Sequence, residues 1–135
     1  MTLSKKIREF KFRVWSEDRK MFVMDGMSIE DIQEDATHSV HLPMLINQEE
    51  CVWQQYTGLK DKNGKEIYEG DILQYTVPQV GSFKEKHATE SGAVVFDRGV
   101  FWCNYPLYEI VSPDWNCTVI GNIFENPELL NEMLN

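Results

Sequence analysis

A mainly β domain, with α structure only at its margins, is what this sequence predicts, and three observations carry the prediction. Short segments of alternating, β-branched or aromatic residues recur between residues 10 and 124. Turn clusters such as Asn63-Gly64, Glu69-Gly70-Asp71 and Asp97-Arg98-Gly99 separate them, and sustained helical spacing is clear only at the C-terminus. Strands at that spacing, without long helices between them, favour a small barrel or roll over a βαβ architecture. A chain of 135 residues, 42% hydrophobic and 26% charged, suits one domain with one core. Its expected parts are an N-terminal hairpin arm over about 8–25, a barrel core over about 51–124 and a helix over about 127–134.

Residues 10–15 alternate, with Phe10, Phe12 and Val14 on one face and Lys11, Arg13 and Trp15 on the other, the period of a half-buried strand. Residues 16–20 form a polar turn, and 21–24 return as the second strand of a hairpin. Ser28 and Asp31 have the spacing of a capping box, opening at most two helical turns through residue 35. Residues 37–50 have no clean period; Val40 and Leu42 suit a short strand that Pro43 limits. Strands are expected at 51–56, 72–77, 92–96, 100–103, 108–111 and 118–124, with a long exposed loop over 78–90. Asn126 as cap, Pro127 at the first helical position and the spacing of Leu129, Leu130, Met133 and Leu134 define the final helix, its apolar stripe on the sheet.

The most distinctive stretch runs from Gln55 to Leu73. A two-residue loop at Asn63-Gly64 would oppose Lys62 to Lys65 and Asp61 to Glu66, two like-charge pairs. A three-residue loop of Lys62, Asn63 and Gly64 instead opposes Asp61 to Lys65, Lys60 to Glu66 and Leu59 to Ile67. The charges therefore select a type I turn with Gly64 in the left-handed region. Gly58 and Gly70 act as further backbone pivots, and Glu69-Gly70-Asp71 is a tight turn into the strand that begins at Ile72. The acidic residues here do not form a calcium loop. With Gly64 at its glycine position, the two essential ligand positions fall on Leu59 and Gly70.

These residues also carry a resemblance. The run from Gln55 to Ile72, with Phe12-Arg13-Val14-Trp15 before it and the stretch from Val119 to Leu130 after it, resembles the YopX family of phage and prophage proteins. The three blocks with their flanks cover about a third of the chain. The resemblance implies a small SH3-like barrel or roll, a bacterial or prophage origin and a cytoplasmic location. It implies no activity, because the family brings no assigned catalytic residues.

The chain's thirteen basic and twenty-two acidic residues give a net charge of −9, which argues against non-specific coating of nucleic acid. The first twenty residues run against that trend with seven bases and three acids. Pairing of this basic segment with the chain's own acidic remainder, or with a neighbouring subunit, is the favoured reading. Three cysteines without a CxxC spacing fit a reducing compartment, and no apolar run suits a signal peptide or a membrane span.

No catalytic, metal or cofactor site emerges. His38 and His41 are spaced for a helix but sit in a stretch that reads as extended, and His87 has no companion. Cys51, Cys103 and Cys117 lack a neighbouring base; Cys103 and Cys117 read as small core residues facing each other. The acidic pairs Glu30-Asp31, Glu49-Glu50 and Glu69-Asp71 read as solvated charge, and no phosphate-binding glycine loop occurs. The expectation is a non-enzymatic phage accessory protein, binding a host or phage protein or a second copy of itself, with Lys11, Arg13 and Trp15 as its candidate interaction surface. The alternatives are a nucleic-acid binder using Lys5, Lys6, Arg8, Lys11 and Arg13 beside Trp15, and an acidic DNA mimic that blocks a host enzyme.

Overall fold

The computed structural model describes residues 9–28, 30, 31, 51–78 and 88–134. The protein is mainly β, as its sequence predicts, and divides into two compact units, Met1–Gly58 and Leu59–Asn135. The described residues bury one apolar cluster in each. The expected strand at 37–50, the helical residues beyond 31, the three histidines and the bases at 5, 6 and 8 lie outside the described residues.

In the first unit, β1 (Lys11–Ser16) lies between β2 (Met21–Ser28) and the first part of β3 (Cys51–Lys60), antiparallel to both. The polar turn between β1 and β2 closes with the Arg19 N–H donating to Ser16 Oγ at 3.1 Å, and Lys20 takes a positive φ of 52°. Val14 and Met24 bury together, with Val23, Met27 and Cys51 packed against them. The capping box at the end of β2 is present and reciprocal. Ser28 N–H donates to Asp31 Oδ2 and Asp31 N–H to Ser28 Oγ, both at 3.1 Å.

In the second unit, β4 (Glu66–Tyr68) follows the turn after β3, and β5 (Asp71–Val77) is the middle strand of a sheet ordered β10-β5-β6, with β6 at Ala88–Ala93 and β10 at Thr118–Asn122. A second sheet, ordered β7-β8-β9, comprises Val95–Asp97, Val100–Cys103 and Tyr105–Pro106. The core joins Ile67, Leu73, Tyr75 and Val94 with Cys103, Leu107, Ile110 and Cys117. Tyr105 and Trp115 close over it, each in contact with the Tyr75 ring. The final helix, α2 (Pro127–Leu134), lies against β6.

Three expected elements differ. Residues 108–111 are not a strand: α1 (Leu107–Ile110) is a single helical turn, because Pro106 precedes it and Leu107 and Ile110, three apart, are the residues that reach the core. The strand expected at 92–96 breaks at Val94. That side chain enters the core while its backbone turns to pair with Gly70 and Asp71, so β6 ends and β7 begins in a new sheet. Finally, Ala88–Glu90 belongs to β6 rather than to the loop, of which residues 79–87 lie outside the described residues.

Candidate functional site

The turn at Asp61–Lys65 is the three-residue loop that the charges select. Asp61 N–H donates to the Lys65 carbonyl at 2.9 Å, Gly64 N–H donates to the Asp61 carbonyl at 3.0 Å, and Gly64 has φ +83°. Its carboxylate has work the sequence did not reveal. Oδ1 accepts from the N–H groups of Asn63 and Lys65 at 2.8 and 2.9 Å, and Oδ2 accepts from Val119 N–H in β10 at 3.0 Å. The neighbouring Lys62 N–H reaches the Cys117 carbonyl at 3.0 Å. Asp61 is only 7% exposed. Burial by itself pushes its pKa up, but the three backbone bonds and the Lys65 charge outweigh that and hold the carboxyl below its ordinary value. Accepting from three N–H donors, this carboxylate clamps the hairpin to the strand.

The second turn of the motif is built the same way. Asp71 Oδ2 accepts from Tyr68 N–H at 2.8 Å across Glu69 and Gly70. Gly70, at φ +84°, donates to the Val94 carbonyl and accepts from Ile123 N–H, both at 2.9 Å. Gly58 likewise has φ +86°. Asn63 and Gly64 lie in the first turn and Glu69 and Gly70 in the second, Asp61 and Asp71 bond across these turns, and Gly58 lies within β3. After β10, Asn122 Oδ1 accepts from Phe124 and Glu125 N–H groups at 3.1 and 2.8 Å. Asn126 precedes the helix as expected, and its Oδ1 accepts from Asn122 N–H at 3.1 Å.

The surface expected at Lys11, Arg13 and Trp15 is corrected by burial. Arg13 and Trp15 are 7% and 3% exposed, because β1 is a middle strand covered on both faces from Arg13 to Ser16. Trp15 packs edge-on against Phe22 at 5.0 Å between centroids, and the Arg13 guanidinium lies 4.7 Å from the same ring while Arg13 Nε donates to Gln54 Oε1. Lys11 Nζ is 3.0 Å from a Glu9 carboxylate oxygen and 5.7 Å from the Tyr56 ring centroid. Alternation shows which residues share a face, but not that both faces of the strand are covered.

The two buried thiols, Cys103 and Cys117, are poor nucleophiles. Burial, reinforced by Cys117, pushes Cys103 up to about 12, and burial with the Asp61 charge pushes Cys117 up to about 11. Burial likewise raises the Tyr75 phenol, which donates to the Cys103 carbonyl at 3.1 Å. Among the described residues, no three His, Cys, Asp or Glu side chains stand close enough to share a metal ion.

Two features of the second unit face outward with definite chemistry. One is the β7–β8 hairpin. All of β7 is exposed, with Val95 at 52% and Phe96 at 53%, although both are large and apolar. Its two-residue turn has Arg98 and Gly99 at φ 52° and 81°, the positive pair that a type I′ turn needs. Asp97↔Val100 is therefore the hydrogen-bonded closing pair. The next pair, Phe96↔Phe101, is non-hydrogen-bonded, its rings 4.9 Å apart, and the Phe96 N–H and C=O point away from β8. Among the described residues β7 is the edge of its sheet. The other feature is an open groove of about 680 Å³ beside β5 and β6, lined by Gln74, Glu90, Ser91 and Asn104 on its polar side and by Ile120 and Leu129 on its apolar side.

The chain is mainly β, its turns are held by buried carboxylates, and among the described residues β7 leaves an apolar strand edge exposed. Its family is shown directly: the YopX protein model matches residues 11–131, and the chain belongs to that family. The structure is similar to the crystal structure of protein EF1440 from Enterococcus faecalis, at 26% identity and a TM-score of 0.58 over 90% of this chain and 97% of that one. A comparison with the curated proteins returns no match. Among the described residues no helix is long and apolar enough to cross a membrane.

Proposed function

We propose that this protein is a non-enzymatic phage or prophage accessory protein of the bacterial cytoplasm that works by protein contact, using the exposed edge of β7. The observation that carries this reading is Phe96, half exposed on an edge strand with its backbone groups directed outward. Such an edge is a template for another strand. A second copy of β7 is the occupant it fits best. Antiparallel pairing about a two-fold axis at Phe96 matches each Phe96 N–H with the other's C=O, sets Val95 against Asp97 rather than like against like, and aligns four phenylalanine rings from the two hairpins. Three residues a side bury well under the roughly 1,200 Å² of a stable interface, so the association is weak. The net charge of −9 opposes it, so added salt strengthens it.

The chemistry of the interior supports the same reading. The carboxylates of Asp61 and Asp71 bond backbone N–H groups, and the buried thiols are held neutral. Sedimentation velocity over a hundredfold concentration range is the test. The wild-type weight-average mass is expected to rise with concentration, more so at high salt, and Phe96→Lys to remain at the monomer mass. A wild type that stays monomeric throughout, or a variant that associates equally well, contradicts the proposal.

A further inference from the structure

We infer that Asn63 is a covalent modification site, deamidating by ring closure onto the Gly64 nitrogen, and that the Asp61 clamp sets the rate. Asn63 is the one asparagine of the chain that a glycine follows. The chemistry needs that neighbour. The Gly64 nitrogen gives up its proton to hydroxide and attacks Asn63 Cγ; a new C–N bond closes a succinimide ring while the bond to the side-chain nitrogen breaks and ammonia leaves. Water then opens the ring at either carbonyl, giving aspartate or isoaspartate. One water is consumed, one ammonia is released, and nothing is oxidised or reduced. A side chain on the attacking residue crowds this closure, and glycine has none. The other asparagines lack the combination. Asn126 precedes Pro127, whose nitrogen has no proton, and Asn104, Asn116 and Asn122 precede Tyr105, Cys117 and Ile123.

The turn exposes the reacting groups and restrains them at once. Asn63 and Gly64 are both exposed, and a Cβ added at Gly64 would meet nothing within 4 Å, so water and hydroxide reach the site. Yet the nucleophile is occupied, because Gly64 N–H donates to the Asp61 carbonyl at 3.0 Å. Asp61 Oδ1 holds the N–H groups of Asn63 and Lys65 at 2.8 and 2.9 Å, fixing the backbone on both sides of the reacting bond. Asn63 has the second central position of the turn, where ψ is about 0° and the following nitrogen sits beside the residue's own N–H rather than its side chain. Ring closure therefore waits for the turn to open, and its rate follows the opening equilibrium. Asp61 governs that equilibrium, since its Oδ2 also ties the hairpin to β10 through Val119 N–H at 3.0 Å.

The product undoes the clamp. Isoaspartate routes the main chain through its side-chain carbon, so an extra methylene separates the N–H groups of residues 63 and 64 that now bond to Asp61. Either product also sets a second carboxylate beside the first, and like charges at that distance repel. Each modified chain therefore holds its hairpin to β10 less firmly than before, and the change does not reverse.

Peptide mapping by mass spectrometry tests this on the full chain, kept warm at mildly alkaline pH and sampled over weeks. Asn63 is expected to convert to the acid mass ahead of every other asparagine, slowly in the native chain and roughly tenfold faster or more in urea, where the turn is open. Isomerisation at Asp25-Gly26 leaves the mass unchanged and does not enter the readout. In native buffer Asp61→Ala should speed the reaction roughly tenfold. Gly64→Ala should slow it severalfold in urea, identifying the nucleophile. The modified chain, separated by its added charge, should melt at a lower temperature than the unmodified one. Equal rates in native buffer and urea, no conversion of Asn63 in the native chain, another asparagine converting first, or a modified chain as stable as the original overturns the inference. So does an unchanged rate in folded Asp61→Ala. Should that variant not fold, Asp61→Asn, which keeps one acceptor oxygen, takes its place with the same expected direction.

Discussion

Two hairpin turns of the second unit, at Asp61–Lys65 and at Arg98-Gly99, are opposite in design. The turn at Asp61–Lys65 has a tip of charged and amide residues, yet its leading aspartate is buried and bonded to β10. The β7–β8 hairpin has valine and phenylalanine on its first strand, yet these are the exposed residues. Polarity therefore does not sort inside from outside here. The polar hairpin holds the unit together because a carboxylate can satisfy several backbone N–H groups at once. The apolar one is left available because β7 is too short, and too near the rim, to be covered.

The contrast breaks most sharply at Asp61. Replacing it by alanine strands three backbone N–H groups, and a loss of about 2–4 kcal/mol in chemical denaturation is expected. The same group gives an acid dependence. Because its folded pKa is lowered, its stabilisation is complete above the ordinary carboxyl value and disappears as pH falls through the folded value. Asp61→Asn should flatten that part of the stability profile between pH 5 and 2, read as thermal midpoints against pH.

A smaller loss is expected at Gly121, where a Cβ would stand 2.5 Å from Asn126 Oδ1. Gly121→Ala should cost about 1–3 kcal/mol by displacing the bond from Asn122. Gly64→Ala meets nothing within 4 Å, so only the strain of a positive φ remains, about 1 kcal/mol in the same denaturation assay. With a thiol reagent at neutral pH, half-buried Cys51 should react first, and Cys103 and Cys117 should wait for unfolding. At the opposite extreme, Phe96→Lys should shift stability by less than about 0.5 kcal/mol, since the side chain is already half in water.

What could be read from the sequence was local. Opposed charges across Asn63-Gly64 decided the loop length, Ser28 and Asp31 disclosed their capping box, and Pro127 with its leucines disclosed α2. The bond from Asp61 to Val119 spans 58 residues, and nothing near Asp61 announces it. Alternation in β1 indicated faces but could not tell a middle strand from an edge, which is why Trp15 looked available when it is covered. The strand expected at 92–96 likewise did not show which of its residues face inward: Val94 takes the core position, and Val95 and Phe96 are exposed. The groove escaped notice because Gln74, Ser91, Asn104 and Ile120 come from separate parts of the chain and share no spacing.

The Phe96 amide offers the most direct measurement of the central claim. Its N–H is directed away from β8, whereas Asp97 N–H lies in the hairpin's closing pair. Hydrogen exchange resolved by residue, followed as protein concentration rises, should show Phe96 slowing progressively while Asp97 stays constant. A Phe96 exchange rate independent of concentration, at low and high salt alike, would contradict the assignment of β7 as the edge through which copies of this chain meet.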